Sequence, residues 1–409
     1  MIDKKEHKDC ANNSRGARRI KLLIYSHSFF PAVGGVETYA QLLASCITDD
    51  ESFDVRVITQ TAAENEGAYS GASVIRRPTF ARLVREIADA DVVFSAGPAL
   101  APMLLALLCR KPFVVEHHGY QAVCPNGLLL NKVRGGVCAQ SFRNGRLSEC
   151  YQCVAVDRGA KHALLQIAGV FARRWLCKRT FINIAVSNHV KERHGLDRMT
   201  VIYHGIPSDP SVNRAVGRQA AEDGVVRFGY VGRLVEEKGL SLLVAATAML
   251  KSEGIPLQVY FIGDGPLRAT LAAQVRELGI DGLVTFSGFL RGDALAHAAS
   301  SLDVVVMPSA WEETAGLSAM EQMMRGRAVL AADIGGLGEI VGRGGVKFRP
   351  FDRESLAEGM KALTDVDFRI GIGIAGRARA HELFNLARMI GDHKALFSAA
   401  FMCRGNRPS

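Results

Sequence analysis

The chain has 409 residues, enough for two independently cored domains, and its 48% hydrophobic and 22% charged content excludes a largely disordered or membrane-spanning chain. Its longest apolar runs, Ala99–Cys109 and Ala163–Ala172, fall short of the ~20 residues a membrane span needs. The formal charge of +9 lies in residues 1–200, which carry 27 Lys+Arg against 18 Asp+Glu, whereas residues 201–409 carry 23 of each. That asymmetry fits an anionic lipid surface, a phosphorylated acceptor or a solvated basic face. Aromatics make up 7%, and no basic run is interleaved with them, which argues against nucleic acid.

In chain order, residues 1–19 are polar and charged without the apolar core of a signal peptide, and are expected to form a disordered basic tail. Near-continuous apolar, β-branched runs then alternate with stretches of helical spacing. "IKLLIYS", "FDVRVITQ", "ADVVFSAG", "KPFVVEH" and "FINIAVSN" are strand candidates in the first half. "VRFGYVGR", "LQVYFIGDG", "LVTFSGF", "LDVVVMPS" and "RAVLAAD" are those in the second. Such runs read as strands covered on both faces by helices, so the fold class is α/β with two Rossmann-like, doubly wound parallel-sheet domains. The expected boundaries are 20–205 for the first domain and 225–385 for the second. A polar, Gly- and Pro-containing linker spans 206–224, and a last helix in 386–409 crosses back to the first domain. A Cys-rich insert, 120–157, interrupts the βα rhythm.

Ligands of open α/β sheets bind beyond the carboxyl ends of the strands, so the residues following each strand are the candidates. After the first strand, Gly34 and Gly35 let the backbone approach a ligand, although a Gly-Gly turn alone is more often only a turn. This is not the Gly-x-Gly-x-x-Gly dinucleotide fingerprint. After "KPFVVE" come His117, His118 and Gly119, where a histidine can reach a sugar hydroxyl. In "GYVGRLVEEKGL", Arg233 and Lys238 can grip a diphosphate, one as a planar fork and one as a point charge. Gly263 lies in the tight turn "IGDGP".

Glu313 and Glu321 follow "LDVVVMP". On one continuous helix they would stand ~12 Å apart, too far for a glycosidase carboxyl pair, and no His or Cys accompanies them as metal ligands. A helix starting near Ala315–Gly316 would leave Glu313 before it and Glu321 inside it. Two separate acceptors for hydroxyls of one extended ligand fit that spacing, with the helix N-terminus facing phosphates.

Together "PAVGGVE", "EHHG", "VGRLVEEKG", "IGDGP" and "PSAWEETAGLSAMEQ…GGLGEIV" resemble, over residues 20 to 385, the retaining nucleotide-sugar glycosyltransferases of family 4, which have the GT-B fold. The resemblance implies a nucleotide-diphosphate sugar, UDP- or GDP-linked, bound between the domains and mainly by the second. Arg233 and Lys238 would hold its diphosphate and Glu313 its sugar hydroxyls. Thr314, Ala315, Gly316 and Leu317 would line sugar and phosphate, with Glu321 on the ribose, Gly35 letting the N-terminal loop close on the phosphates, and His118 near the reacting carbon. It implies transfer with retention to a saccharide or lipid-linked acceptor, in bacterial surface polysaccharide or glycolipid synthesis. No cofactor or metal is expected in the chemistry. The location implied is the cytoplasm or the inner face of the membrane. The chain departs from the family at Thr314-Ala315, where Pro-Phe is usual, and at His204-Gly205, where Asn-Gly is usual. Those departures leave donor identity open. A nucleotide-sugar epimerase of the same fold, or a basic zinc-bearing nucleic-acid-binding protein, are the alternative readings.

Cys124, Cys138, Cys150 and Cys153 could form a structural tetrahedral thiolate zinc site, with free thiols as the alternative. The lack of an export signal implies a reducing compartment and argues against disulfides. In the helix after the insert, Leu164, Ile167, Ala168, Phe171 and Trp175 form one stripe, with Arg173, Arg174, Lys178 and Arg179 at its end. The spacing predicts a core-facing stripe; an anionic membrane contact is the rival.

Overall fold

Ten of the apolar runs form strands in the computed structural model, which describes residues 18–32, 34–63, 68–207 and 224–405. The expected tail and linker lie almost entirely outside these residues. Two compact units are formed. The first takes the chain through Ala96, Ala101–Val114 and the residues from Lys394; the second takes Gly97–Leu100 and Val115–His393.

The first sheet comprises β1 (Ile20–Tyr25), β2 (Phe53–Thr59), β3 (Ala68–Tyr69), β4 (Ala72–Arg76), β5 (Val92–Ala96), β6 (Phe113–His117), β7 (Ile182–Ala185) and β8 (Met199–Val201). Its order is β3-β4-β2-β1-β5-β6-β7-β8. Parallel registers run from Ile20↔Phe53 to Tyr25↔Ile58, and only the short β3 is antiparallel to its neighbour among the registered pairs. Helices α1 (Gly35–Thr48), α2 (Phe80–Asp89) and α3 (Leu100–Leu108) connect these strands. Thr79 caps α2 by accepting from the Arg82 amide, which explains where that helix starts.

Between β6 and β7 the insert folds into loops and α4 (Leu147–Arg158), followed by α5 (Ala160–Cys177); α6 (Asn188–His194) follows β7. Only part of the stripe predicted to face the core does so: Ile167 packs inward and the Phe171 ring lies 4.8 Å from that of Phe142, while Ala168 is exposed. Leu164, Phe171 and Trp175 are 61%, 52% and 48% exposed, while Ala163, Val170, Leu176 and Cys177 are buried. The reason is α4: Val170 and Ile167 pack with Phe142 and Cys150 of the insert, so this neighbour, not the apolar spacing, sets the inner face of α5.

The second sheet comprises β9 (Val226–Val231), β10 (Leu257–Ile262), β11 (Val284–Gly288), β12 (Val304–Met307), β13 (Ala328–Ala332) and β14 (Val346–Phe348). Its order is β11-β10-β9-β12-β13-β14, all parallel. Every residue of β12 and β13 is buried, as strands covered on both faces must be. The covering helices are α7 (Leu240–Ser252), α8 (Arg268–Glu277), α9 (Gly292–Ser300), α10 (Leu317–Met324), α11 (Gly335–Val341), α12 (Arg353–Ala362) and α13 (Val366–Leu383). Phe228, Leu243, Val259, Val306, Leu330 and Leu356 are fully buried in this core. The last helix is α14 (Leu386–Gly405), whose Phe397 ring meets Phe53 and Phe94 edge-on in the first unit. No described helix is long and apolar enough to cross a membrane.

Candidate functional site

The chain leaves β9 toward β10 and β11 on one side and returns at β12 for β13 and β14 on the other, so the sheet reverses direction between β9 and β12. Loops at such a switch point diverge and leave a crevice at the strands' carboxyl ends. Arg233 and Lys238 follow β9, and Glu313 follows β12. The Lys238 ammonium donates to Glu313 Oε1 at 2.9 Å and stands 5.7 Å from the centre of the Trp311 ring. Ser309 Oγ donates to the same oxygen of Glu313, which is almost wholly buried. Arg233 is exposed, with its guanidinium 3.7 Å from Glu237, and its carbonyl accepts from Tyr230 Oη at 2.9 Å. Arg233, lightly bound, can meet an anion without first breaking a strong pair, and the three-donor Lys238 ammonium places one donor on Glu313.

Helix α10 begins at Leu317, with Gly316 before it at φ 84°, so Glu313 stands in the loop and Glu321 in the helix. Burial pushes the Glu321 carboxyl above its usual range, against the opposing charge of Arg325. Gly263 is required for chain approach: at φ 145°, a Cβ there would sit 1.9 Å from the Gly232 carbonyl oxygen. Gly34 precedes α1 with an extended φ of 175°, and the first atom a side chain would meet is the Glu37 carboxylate. Gly34 and Gly35 belong to the first unit; the other candidates belong to the second.

The structure brings His118 to the Glu313 loop. Thr314 Oγ1 donates to the His118 carbonyl at 3.2 Å, Tyr120 Oη to the Glu312 carbonyl at 2.9 Å, and Ser187 Oγ to the Thr314 carbonyl at 2.6 Å. The Gly336 amide donates to the Glu313 carbonyl at 2.6 Å. These bonds fix the 312–314 backbone from three strand ends, so the position of Glu313 is set before any ligand arrives. Ala315 is buried beside them.

Several functional neighbours went unnoticed in the sequence. Glu312 is buried with Arg193 and His189, the latter at 3.5 Å. Glu339 accepts from the amides of Asn188 and His189 at 2.9 and 2.8 Å and from Tyr203 Oη at 2.6 Å, closing the start of α6. Glu116, inside the buried strand β6, lies 4.0 Å from His118 Nε2, 3.8 Å from His204 Nε2 and 3.3 Å from His393 Nε2. His204 Nε2 is 3.2 Å from His118 Nδ1, and the two rings stack. A charged residue in an otherwise apolar strand was the available signal for Glu116. One atom each from Glu116, His118 and His204 lie within 4.8 Å of one another, a spacing open to a metal and equally met by the hydrogen bonds just described.

Burial opposes ionisation of Glu116, but the charge of His118 and the hydrogen bond from His393 outweigh it and hold the carboxyl at about 2. Burial, then the His118 charge, lowers His204 to about 3; burial likewise lowers His117 to about 4. All three native values lie below the ordinary ones, so as pH falls the unfolded chain takes up protons that the folded chain does not. The histidine contribution to stability is complete above pH ~6.5 and is lost toward pH 3–4; the Glu116 contribution goes between pH ~4.5 and 2. Thermal unfolding should therefore show a plateau in Tm above neutrality and a fall on acidification, by ~1.4 kcal/mol per pH unit for each histidine. A His204→Asn variant should fall less steeply, and an unchanged slope would remove His204 from the account.

Two family models match the chain in succession: Glycosyltransferase Family 4 over residues 33–209 and Glycosyl transferases group 1 over residues 216–368. The alpha-D-kanosaminyltransferase of Streptomyces kanamyceticus is 32% identical over 297 residues, covering 69% of this chain and 70% of that one. The chain belongs to the family 4, group 1 glycosyltransferases. This glycosyltransferase is also 32% identical to the 2-deoxystreptamine N-acetyl-D-glucosaminyltransferase of Streptomyces fradiae, over 53% of either chain. It spans about half the length, or less, of the first curated relatives it matches. A crystal structure of HepE from Anabaena, in complex with UDP and glucose, superposes with a TM-score of 0.68 at 20% identity, over 93% of this chain and 100% of that one. The glycosyltransferase thus has the GT-B fold, two parallel-sheet α/β domains.

Proposed function

We propose that this glycosyltransferase moves a sugar from a UDP- or GDP-sugar to a hydroxyl of a saccharide or lipid-linked acceptor, with retention at the anomeric carbon. The observation that carries the reading is the Lys238–Glu313 pair at the switch point of the second sheet, with Arg233 exposed on the same strand-end loop. The bond from the anomeric carbon to the β-phosphate oxygen breaks, and its electron pair leaves with the diphosphate. Arg233, Lys238 and the amides opening α10 stabilise that charge. The acceptor oxygen bonds to the same face of the carbon, and its proton passes to the departing phosphate oxygen. Two cations on the diphosphate supply the charge compensation for which other transferases use a metal, so the chemistry is assigned as metal-independent.

Glu313 accepts from the sugar hydroxyls, its orientation set by Lys238 and Ser309, and the Thr314–Leu317 backbone lines sugar and phosphate. Glu321 accepts from the ribose hydroxyls, and His118, buttressed by His204, meets the donor sugar. The UDP and glucose named for HepE support a uridine nucleotide as the first donor to try. A thermal-shift screen against UDP-, GDP- and ADP-sugars tests the donor site. One nucleotide class at 100 times its Kd should stabilise the wild type by about 2.7 kcal/mol. Arg233→Ala and Glu321→Ala should both lose most of that shift. A shift that survives in both variants would refute the assignment.

The exposure of Leu164, Phe171 and Trp175 on α5 supports a cytoplasmic enzyme that touches the anionic inner face of a bacterial membrane, where lipid-linked acceptors reside. Arg179 stacks on Trp175 at 3.7 Å, so a cation sits directly beside the exposed aromatics. Cosedimentation with anionic vesicles at low salt, reduced about tenfold by Phe171→Asp, is expected. Equal sedimentation with neutral vesicles would sink the idea.

A further inference from the structure

The four cysteines of the insert come from three separate segments and border the same cavity. Cys124 lies in the loop after β6, Cys138 in the next loop, and Cys150 and Cys153 one turn apart on α4; all four line one cavity of ≈ 20 Å³. That is room for one ion or one water. The described cysteines form no disulfide, so all four are free thiols.

Both acceptors and donors surround the sulfurs: Cys124 Sγ donates to Asn126 Oδ1 at 2.9 Å and Cys153 Sγ to the Leu130 carbonyl at 3.5 Å. The amides of Asn126, Gly127 and Leu129 are directed at the Cys124 sulfur. Asn126 Nδ2 donates to Cys153 Sγ at 3.2 Å, and the Lys132 amide to the same sulfur at 3.4 Å. Donors aimed at sulfur stabilise the charged form, and are how thiolate ligands are supported around a metal. Glu149 also borders the cavity but is engaged by Ser141 at 2.7 Å.

We propose that Cys124, Cys138, Cys150 and Cys153 bind one structural Zn²⁺ tetrahedrally, and that this ion fixes the loop carrying His118 and Tyr120. Four sulfurs and no exchangeable position make a closed site that stabilises structure rather than activating water. The mechanical link is short. Cys124 N donates to the Tyr120 carbonyl at 2.8 Å and Tyr120 N to the Gly127 carbonyl at 3.1 Å, so the loop closes on itself. Tyr120 Oη then holds the Glu312 carbonyl. Zinc bound to Cys124 and to α4 ties this loop to a helix. The consequence for transfer rests on the proposed transferase reading; the metal assignment does not.

The test is metal analysis of the full-length protein purified from zinc-supplied cells without chelator, beside Cys138→Ser, Cys150→Ser and, as a control outside the cavity, Cys177→Ser. The expected result is one zinc per wild-type and Cys177→Ser chain, released when a mercurial titrates the thiols, and at least a fivefold lower content in the cavity variants. Cobalt taken up in place of zinc should show the thiolate charge-transfer and d–d absorption of tetrahedral Co²⁺. Should the variants fail to fold, the wild-type stoichiometry and the cobalt spectrum decide. Wild-type protein with less than a tenth of an equivalent of zinc overturns the proposal, as does bound iron with labile sulfide. Full zinc with no nucleotide-sugar shift would leave the metal site standing and count against the donor site alone.

Discussion

Glu313→Ala is expected to lower kcat/KM by about one to two orders of magnitude with little change in fold. A hydrogen bond to a charged group is worth ~1.5–3 kcal/mol, and the alanine removes one from the donor sugar while leaving the Lys238 ammonium without its acceptor. Lys238 and Glu313 are both largely buried, so solvent replaces little of the loss. Glu313→Gln keeps the shape and one acceptor and should lose less. Steady-state kinetics with matched circular dichroism decide. If Glu313→Ala retains a third or more of wild-type kcat/KM, Glu313 does not touch the substrate.

Gly336→Ala should be nearly as damaging for a different reason. A Cβ at this position would lie 2.2 Å from the Thr314 carbonyl oxygen, 2.7 Å from its carbon and 2.8 Å from Ser187 Oγ. Two of these atoms are backbone, and the loop they belong to is pinned by Ser187 and by the Gly336 amide itself. The methyl is accommodated only by moving residues 312–314, which carry Glu313. Overpacking of this kind costs ~1–3 kcal/mol in stability, and a shift of about 1 Å in a substrate-holding group costs ~10²-fold in rate. Gly371→Ala is the contrast: in the exposed part of α13, with no atom within 4 Å of the new carbon, it should stabilise by ~0.5–1 kcal/mol. Equal activity in the two variants would show that the 312–314 loop tolerates displacement.

The strands that were legible are those buried on both faces, because only continuous apolar runs satisfy that position. "LDVVVMPS" and "RAVLAAD" became the wholly buried β12 and β13. The short strands β3, β4, β8 and β14 were missed. They are 2 to 5 residues long and are edge strands or lie next to one, and β4, β8 and β14 carry Ser, Arg, Thr or Lys among few apolar residues, so periodicity has little to work on. Helix α5 was legible as a helix but not in its orientation, since α4 had no distinguishing pattern and decides which side of α5 is covered.

The amino-acid sequence by itself determined the α/β class, the repeat of strand and helix in both halves, the glutamates with their connecting glycine, and the four-cysteine insert. These are local in the chain: each is a run or spacing within one segment. Tertiary structure alone decided that Glu116 sits among His118, His204 and His393, the last 277 residues away. It alone set Lys238 on Glu313, 75 residues apart, and left Leu164, Phe171 and Trp175 of α5 exposed. A buried charge is tolerated only where partners surround it, and those partners arrive from strands that meet through the sheet order, which no spacing in the chain records.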